Sequence, residues 1–202
     1  KGYGVKDIRN FEKIEPSTNF RLASVTKQFT AMSILLLAKN NKISLEDPLT
    51  KYFSSFPAYG KKIKIKHLLT HSSGLIDYED LMPSTQQKQL HDTNCLQLMY
   101  LADSLYFPAG TQYKYSNTGY AILALIVEKV SGQDFATFLK ENILPIQESG
   151  NLKFIEEGNN SKTRFSENIE VAFVNGHTQS MIIPFVQFNG RTIVYMADLI
   201  PS

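Results

Sequence analysis

The chain has a single cysteine, Cys95, so no disulfide can form within it and the redox compartment stays open. Its neighbours Leu96, Leu98 and Met99 suggest a packed helix, which makes Cys95 a buried structural thiol rather than a nucleophile. Long apolar runs are missing as well. Ile34-Leu35-Leu36-Leu37-Ala38 is far shorter than the roughly 20 residues a membrane-spanning helix needs. No signal peptide opens the chain. It begins on what reads as a strand, Lys1-Gly2-Tyr3-Gly4-Val5, which leaves room for an export signal upstream. An excess of one charge is lacking too: 21 basic and 19 acidic residues leave a net charge of +2. No large field then favours nucleic acid or an anionic membrane. With 202 residues, 43% hydrophobic and 20% charged, the chain can bury one core with room for a small appendage.

Against this background Ser24-Val25-Thr26-Lys27 stands out. It lies in Phe20 to Thr30, where a polar stretch turns into a helix. Ser and Lys at i and i+3 share one helix face. Ser24 falls at the positive end of the helix dipole, among unpaired backbone N–H groups. A hydroxyl is a weak nucleophile until a neighbouring base takes its proton, and Lys27 is the nearest amine. Alone, the tetrapeptide reads equally well as a helix-start Ser with a solvated Lys one turn on.

A second constellation follows. Pro108 and Gly110 mark a turn, and Tyr115-Ser116-Asn117 leads into an apolar helix, Tyr120 to Val130, closed by Ser131-Gly132. Asn117 or Thr118 is the expected N-cap. A Tyr at such a loop tip can present its phenol as acid or base. Asn117 can donate to a substrate carbonyl and hold the lysine. The plainer readings are a packed aromatic and a simple cap.

The remaining pattern predicts residues 1–6 and 18–22 extended. A helix from Ser24 to Lys39 carries Val25, Phe29, Met32 and Leu36 as a buried stripe, core and not a cofactor box. Leu45 to Phe53 reads as a loop with a short turn, Ile65 to Leu69 as a short helix, 76–90 as a polar loop, and Leu96 to Leu105 and Asp134 to Ile143 as helices. Lys61-Lys62-Ile63-Lys64-Ile65-Lys66 alternates like a strand or solvated edge. Glu79-Asp80 reads as surface charge and His91 as solvated.

Residues 2–145 resemble the serine β-lactamase-like family of class C β-lactamases, D-Ala-D-Ala carboxypeptidases and related esterases. The resemblance rests on Phe20 to Thr30 around S-x-x-K, on His67-Leu68-Leu69-Thr70-His71-Ser72-Ser73-Gly74-Leu75, and on Pro108 to Gly119 around Y-x-N, in the family's order. S-x-x-K is a catalytic motif of this wider superfamily. The resemblance implies Ser24 as acyl-accepting nucleophile, Lys27 and Tyr115 as proton carriers, and Asn117 as a substrate-orienting group. The Ser24 backbone N–H would be half of an oxyanion hole. His67 and His71 take supporting roles. The implied fold is α/β and β-lactamase/transpeptidase-like: a helical cluster on a mainly antiparallel sheet, truncated and completed or followed by a foreign β-rich tail. The implied substrate is a β-lactam, a D-Ala-D-Ala-type or peptidoglycan-like peptide, or an ester, met in the periplasm or outside the cell. No cofactor is expected.

The chain departs from the family after Asn142-Ile143-Leu144-Pro145. The family's third motif, Lys-Thr-Gly or His-x-Gly on a strand, has no Lys-Thr-Gly counterpart here. The division expected is therefore 1–147 and 148–202. The tail, through Val174-Asn175-Gly176-His177-Thr178 and Phe188 to Leu199, resembles the second half of a metallo-β-lactamase fold, with His177 and Asp198 as the matching metal-ligand positions. The H-x-H-x-D-H motif is absent, and a zinc site needs at least three protein ligands. Zinc thus enters only under that alternative. Otherwise the tail supplies strands Ile169 to Val174, Met181 to Phe188 and Thr192 to Met196, turning at Asn175-Gly176 and Asn189-Gly190. Under that reading they pair with the N-terminal strands and cover the helices, with His177 standing in for the third motif; the foreign-tail origin is the preferred reading, and the tail's packing role is left open. A non-catalytic module is the rival from another class.

Overall fold

The computed structural model describes residues 3–15, 17–19, 23–83, 85, 90–143, 145, 163–167, 169–174, 181–188 and 190–194. The chain falls into two units, residues 1–148 and 149–202.

The first unit is built around one helix, α6 (Asn117–Ser131), which buries every residue from Ala121 to Val127. A helix apolar on all sides must be surrounded. Around it pack α1 (Thr26–Lys39), α3 (Ile65–Leu69), α5 (Asp92–Leu101) and α7 (Phe135–Asn142). The core joins Ile122, Leu123 and Ile126 of α6 to Ile34, Leu68 and Met99 of its neighbours. Gly132, at φ 74°, stops α6 in the left-handed conformation that glycine adopts without a Cβ clash, and its N–H bonds back to Glu128 O at 2.8 Å. Two single-turn helices, α2 (Leu49–Tyr52) and α4 (Tyr78–Leu81), complete the cluster. A short antiparallel pair, β1 (Val5–Asp7) and β2 (Glu12–Lys13), lies near the start.

Several expectations need correction. The buried face of α1 is Thr30, Ser33, Ile34 and Leu37, at i, i+3, i+4 and i+7, while Val25 and Met32 are exposed. The helix is apolar around most of its circumference, so its periodicity does not select a face. Ser33 lies inside because its hydroxyl donates to Phe29 O at 2.8 Å and leaves nothing unpaired.

The Lys61–Lys66 run is not a strand. A 3-10 turn, Ala58–Lys61, leads through Ile63 into α3, where both Ile63 and Ile65 are fully buried. The lysines point out, and Lys64 and Lys66 each reach Glu46 at 2.7 Å. Two cations on one exposed carboxylate hold the Glu46 carboxyl down to about 2. The polar stretch 76–90 contains α4, started by Asp77, whose carboxylate accepts from Glu79 N–H at 3.3 Å. Helix α5 begins at Asp92 and ends at Leu101, four residues earlier at each end than read from the sequence. Cys95 is buried on it, and burial pushes its thiol up to about 11.

The second unit is a four-stranded antiparallel sheet ordered β3-β4-β5-β6: Thr163–Ser166, Ile169–Val174, Met181–Phe188 and Arg191–Val194. Within this unit β3 pairs with β4, β4 with β5 and β5 with β6. Phe188 faces Arg191 across a two-residue turn with Gly190 at φ 72°, the conformation a tight hairpin demands. Asn175-Gly176 lies outside the described residues.

Candidate active site

Ala23 opens the site. Its φ of 47° is left-handed, which costs a non-glycine residue about 1 kcal/mol or more. The bend sets Ser24 in a 3-10 turn, Ala23–Val25, that runs directly into α1. Lys27 follows in the first helical turn.

The other half of the site is the start of α6. The N-cap is Ser116, whose buried hydroxyl accepts from Gly119 N–H at 3.0 Å, and not Asn117 or Thr118. With Ser116 capping, both of its neighbours are released for other work. Asn117 N–H donates to Asp77 Oδ2 at 2.8 Å. Thr118 Oγ1 accepts from Tyr78 N–H at 2.7 Å and donates to Ile76 O at 3.1 Å. These bonds sew the start of α4 to the start of α6.

The loop before α6 is held just as closely. Gly110 N–H reaches Ser72 O at 2.8 Å, and Lys114 N–H reaches His71 O at 2.9 Å. Gly74 is required at its position: a Cβ there would sit 2.0 Å from Phe107 O, and its φ is 73°. His71 also has a positive φ, 54°, and its Nδ1 accepts from Ser116 N–H at 3.2 Å.

The four sequence-predicted residues of the first unit meet. Ser24 Oγ and Tyr115 Oη share a hydrogen bond of 2.6 Å. Lys27 Nζ donates to Ser24 Oγ at 3.3 Å and to Asn117 Oδ1 at 2.7 Å. It also lies 4.8 Å from the centre of the Tyr115 ring and 5.8 Å from that of Tyr120. Such a cation faces the negative side of each ring. A cavity of about 500 Å³ opens beside the group and is lined by Ser24, Lys27, Thr30, Glu79, Asn117 and Tyr120 among others.

Glu79 is a residue the sequence reading missed. It lies in the cavity wall, and Asn117 Nδ2 donates to its carboxylate at 3.3 Å. The available signal was Asp77 followed by acidic residues in a first turn, which marks a helix start rather than a loop. His67, expected as support, accepts Lys64 N–H on Nδ1 at 3.2 Å. His91 is exposed at the start of α5, where its N–H donates to Asn94 Oδ1 at 3.0 Å. Burial first, then Lys27, pushes the His71 imidazole below its ordinary 6.5. His67 is lowered by burial first and then by Lys66 and Lys64. His177 and Asp198 lie outside the described residues. Among the described residues no group of three or more His, Cys, Asp or Glu side chains converges to hold a metal ion.

Ser24 with Lys27 one turn on, met by Tyr115 and Asn117 from the loop before α6, is the S-x-x-K and Y-x-N arrangement of the serine β-lactamase and penicillin-binding class. Comparison with known proteins agrees. Residues 1–149 match the family described as Beta-lactamase, and the chain belongs to that family. Penicillin-binding protein 4* of Bacillus subtilis is 33% identical over 144 residues, covering 70% of this chain and 32% of that protein. D-amino acid amidase from Ochrobactrum anthropi SV3, solved with L-phenylalanine, superposes with a TM-score of 0.62 at 28% identity, over 71% of this chain and 42% of that one. A penicillin binding protein from Bacillus halodurans superposes with a TM-score of 0.58 at 31% identity, over 71% of this chain and 48% of that one. The fold is thus β-lactamase/transpeptidase-like. The chain spans about a third of the length of the curated relatives it matches, 32% of one and 33% of another.

Proposed function

We propose that the chain carries out acyl transfer to Ser24 followed by hydrolysis of the acyl-enzyme. The observation that carries this reading is the 2.6 Å bond between Ser24 Oγ and Tyr115 Oη, with Lys27 donating to the same serine oxygen. In this step Tyr115 enters as the phenolate: as Ser24 Oγ bonds to a carbonyl carbon, the serine proton passes to the phenolate oxygen, which becomes a phenol, and the Lys27 ammonium, hydrogen-bonded to Ser24 Oγ and over the Tyr115 ring, favours the anionic form beforehand. The proton then moves to the departing group as the bond to it breaks. Water, deprotonated by the same pair, attacks the ester on Ser24 and releases the acid. The Ser24 N–H offers one donor to the carbonyl oxygen, worth about 3 kcal/mol where such a donor is aligned. Asn117, fixed between Lys27 and Glu79, orients the substrate.

The substrate class is a β-lactam, a D-Ala-D-Ala-type or peptidoglycan-like peptide, or an ester. A structural relative described as a D-amino acid amidase supports counting amides with these. Such substrates set the working place outside the cytoplasm. No cofactor takes part in this chemistry. His177 is the residue we assign in place of the third motif.

The absence of Lys-Thr-Gly favours a second reading, a non-catalytic module that retains the fold. Intact-protein mass after incubation with benzylpenicillin, and separately with an activated ester, separates the two. An adduct or turnover that disappears in Ser24→Ala is the result expected. A cooperatively folded protein with neither adduct nor turnover overturns the hydrolase reading.

A further inference from the structure

We propose that neutral His71 is a positioning residue for Tyr115, and that protonation of its Nδ1 releases the Tyr115–Asn117 segment from Ser24 and Lys27. The functional part rests on the role given above to Tyr115.

His71 grips the chain on both sides of Tyr115. Its carbonyl oxygen accepts Lys114 N–H at 2.9 Å, and its Nδ1 accepts Ser116 N–H at 3.2 Å. Its ring also lies on the Tyr115 ring, with centres 4.7 Å apart and planes inclined by 30°. Backbone before, side chain between and backbone after are thus set by one residue. The turn that brings both the carbonyl and the imidazole to this loop uses the left-handed φ of 54°, a conformation in which His is several-fold enriched among non-glycine residues.

The grip depends on protonation. A backbone N–H can donate only to a ring nitrogen with a free lone pair, so Nδ1 must be bare and any ring proton must sit on Nε2. A proton on Nδ1 would aim one donor at another. The groups facing the imidazole are Lys27 from α1, Tyr113 and Tyr115 from the loop, and Tyr120 from α6. Among them only Lys27 carries charge, and it lies over the Tyr115 and Tyr120 rings on which His71 packs. A charged imidazole there meets a second cation, and no carboxylate among the described residues is recorded facing it. Burial and Lys27 accordingly hold His71 below its ordinary 6.5.

The test uses two variants and two readouts. His71→Asn keeps an acceptor close to the Nδ1 position, tolerates the left-handed backbone and cannot titrate. His71→Phe keeps a ring and loses the acceptor. Ser24 acylation in the wild-type protein should fall with acid along a limb that His71→Asn abolishes. His71→Phe should lower kcat by about tenfold to a hundredfold with little change in KM, the scale of a misplaced catalytic group. The second readout needs no reaction: in Ser24→Ala protein labelled with 13C-tyrosine, the Tyr115 ring signal should move with the His71 midpoint and stay still in His71→Asn. A Tyr115 signal indifferent to His71 overturns the proposal, as does an acid limb unchanged in His71→Asn. A coupled titration in a protein that never acylates Ser24 supports the positioning link and overturns the hydrolase reading alone.

Discussion

Lys27 and Asn117 meet at 2.7 Å, and that bond ties the first turn of α1 to the first turn of α6. The two residues are 90 positions apart in the chain. Asn117 is itself anchored from behind, because Asp77 holds its N–H at 2.8 Å and Glu79 accepts from its amide at 3.3 Å. The lysine is therefore placed by a chain of contacts reaching back to α4.

Replacing Asn117 by Ala removes the short acceptor from a half-buried lysine. Stability should fall by about 1–2 kcal/mol, the scale of one hydrogen bond to a charged group. Urea unfolding measures that loss. Ser24 acylation should fall as well, since Lys27 then keeps only its longer bond to Ser24 and its place over the Tyr115 and Tyr120 rings.

Ser116→Ala should cost about 0.5–2 kcal/mol, because the buried hydroxyl caps α6 through Gly119 N–H at 3.0 Å. Ser116→Asp restores an acceptor but buries a charge, and should be worse than Ala. Thermal melts of the pair check the order. Equal melting points for wild type and Ser116→Ala would mean that α6 begins without this cap.

Gly74→Ala should prevent folding of the first unit. The added Cβ would stand 2.0 Å from the Phe107 backbone oxygen, in a backbone conformation of φ 73° that alanine resists. Loss of the cooperative transition in circular dichroism is the expected outcome. A variant that melts like wild type would show that the 72–74 and 106–110 segments do not lie as described.

Acid should destabilise the protein before its carboxylates titrate. His67 and His71 both sit below their ordinary 6.5 in the folded chain. Between that value and the lower folded one, the unfolded chain binds more protons, so stability falls as pH drops. Their stabilising effect is complete above 6.5 and is lost as pH falls through the folded values. Glu46, held at about 2, adds its loss only in the lower window beneath its ordinary 4.5. Urea midpoints at pH 7.5 and pH 5.5 isolate the histidines. His71→Asn should narrow the gap between those midpoints.

Much of the site was legible in the sequence because its chemistry is carried by short motifs. Ser24 and Lys27 lie one turn apart, and Tyr115 and Asn117 flank a helix start that Pro108, Gly110 and the apolar run after Tyr120 announce. The long-range bond between Ser24 and Tyr115 followed from the family resemblance rather than from spacing. What escaped was governed by partners rather than by pattern. The buried face of α1 is chosen by α6, so polar Thr30 and Ser33 go inside while Met32 stays out. Lys61 to Lys66 alternates like a strand, yet Ile63 and Ile65 reach the core from a turn and a helix. Ser116 took the cap because the side chain of Asn117 is held by Lys27 and Glu79 and that of Thr118 by Tyr78 and Ile76. No local signal in the sequence distinguishes the three.

The lone thiol has a practical consequence. Cys95 is 2% exposed on α5, where Asp92, Asp77 and Tyr78 sense it, and burial pushes its thiol up to about 11. At neutral pH only about one molecule in ten thousand then carries the reactive thiolate, and that one is shielded from reagents. Alkylation of this protein therefore becomes a clock for the opening of the structure around α5. Its rate reads breathing of the helical core directly, with no engineered probe and no second cysteine to confuse the signal.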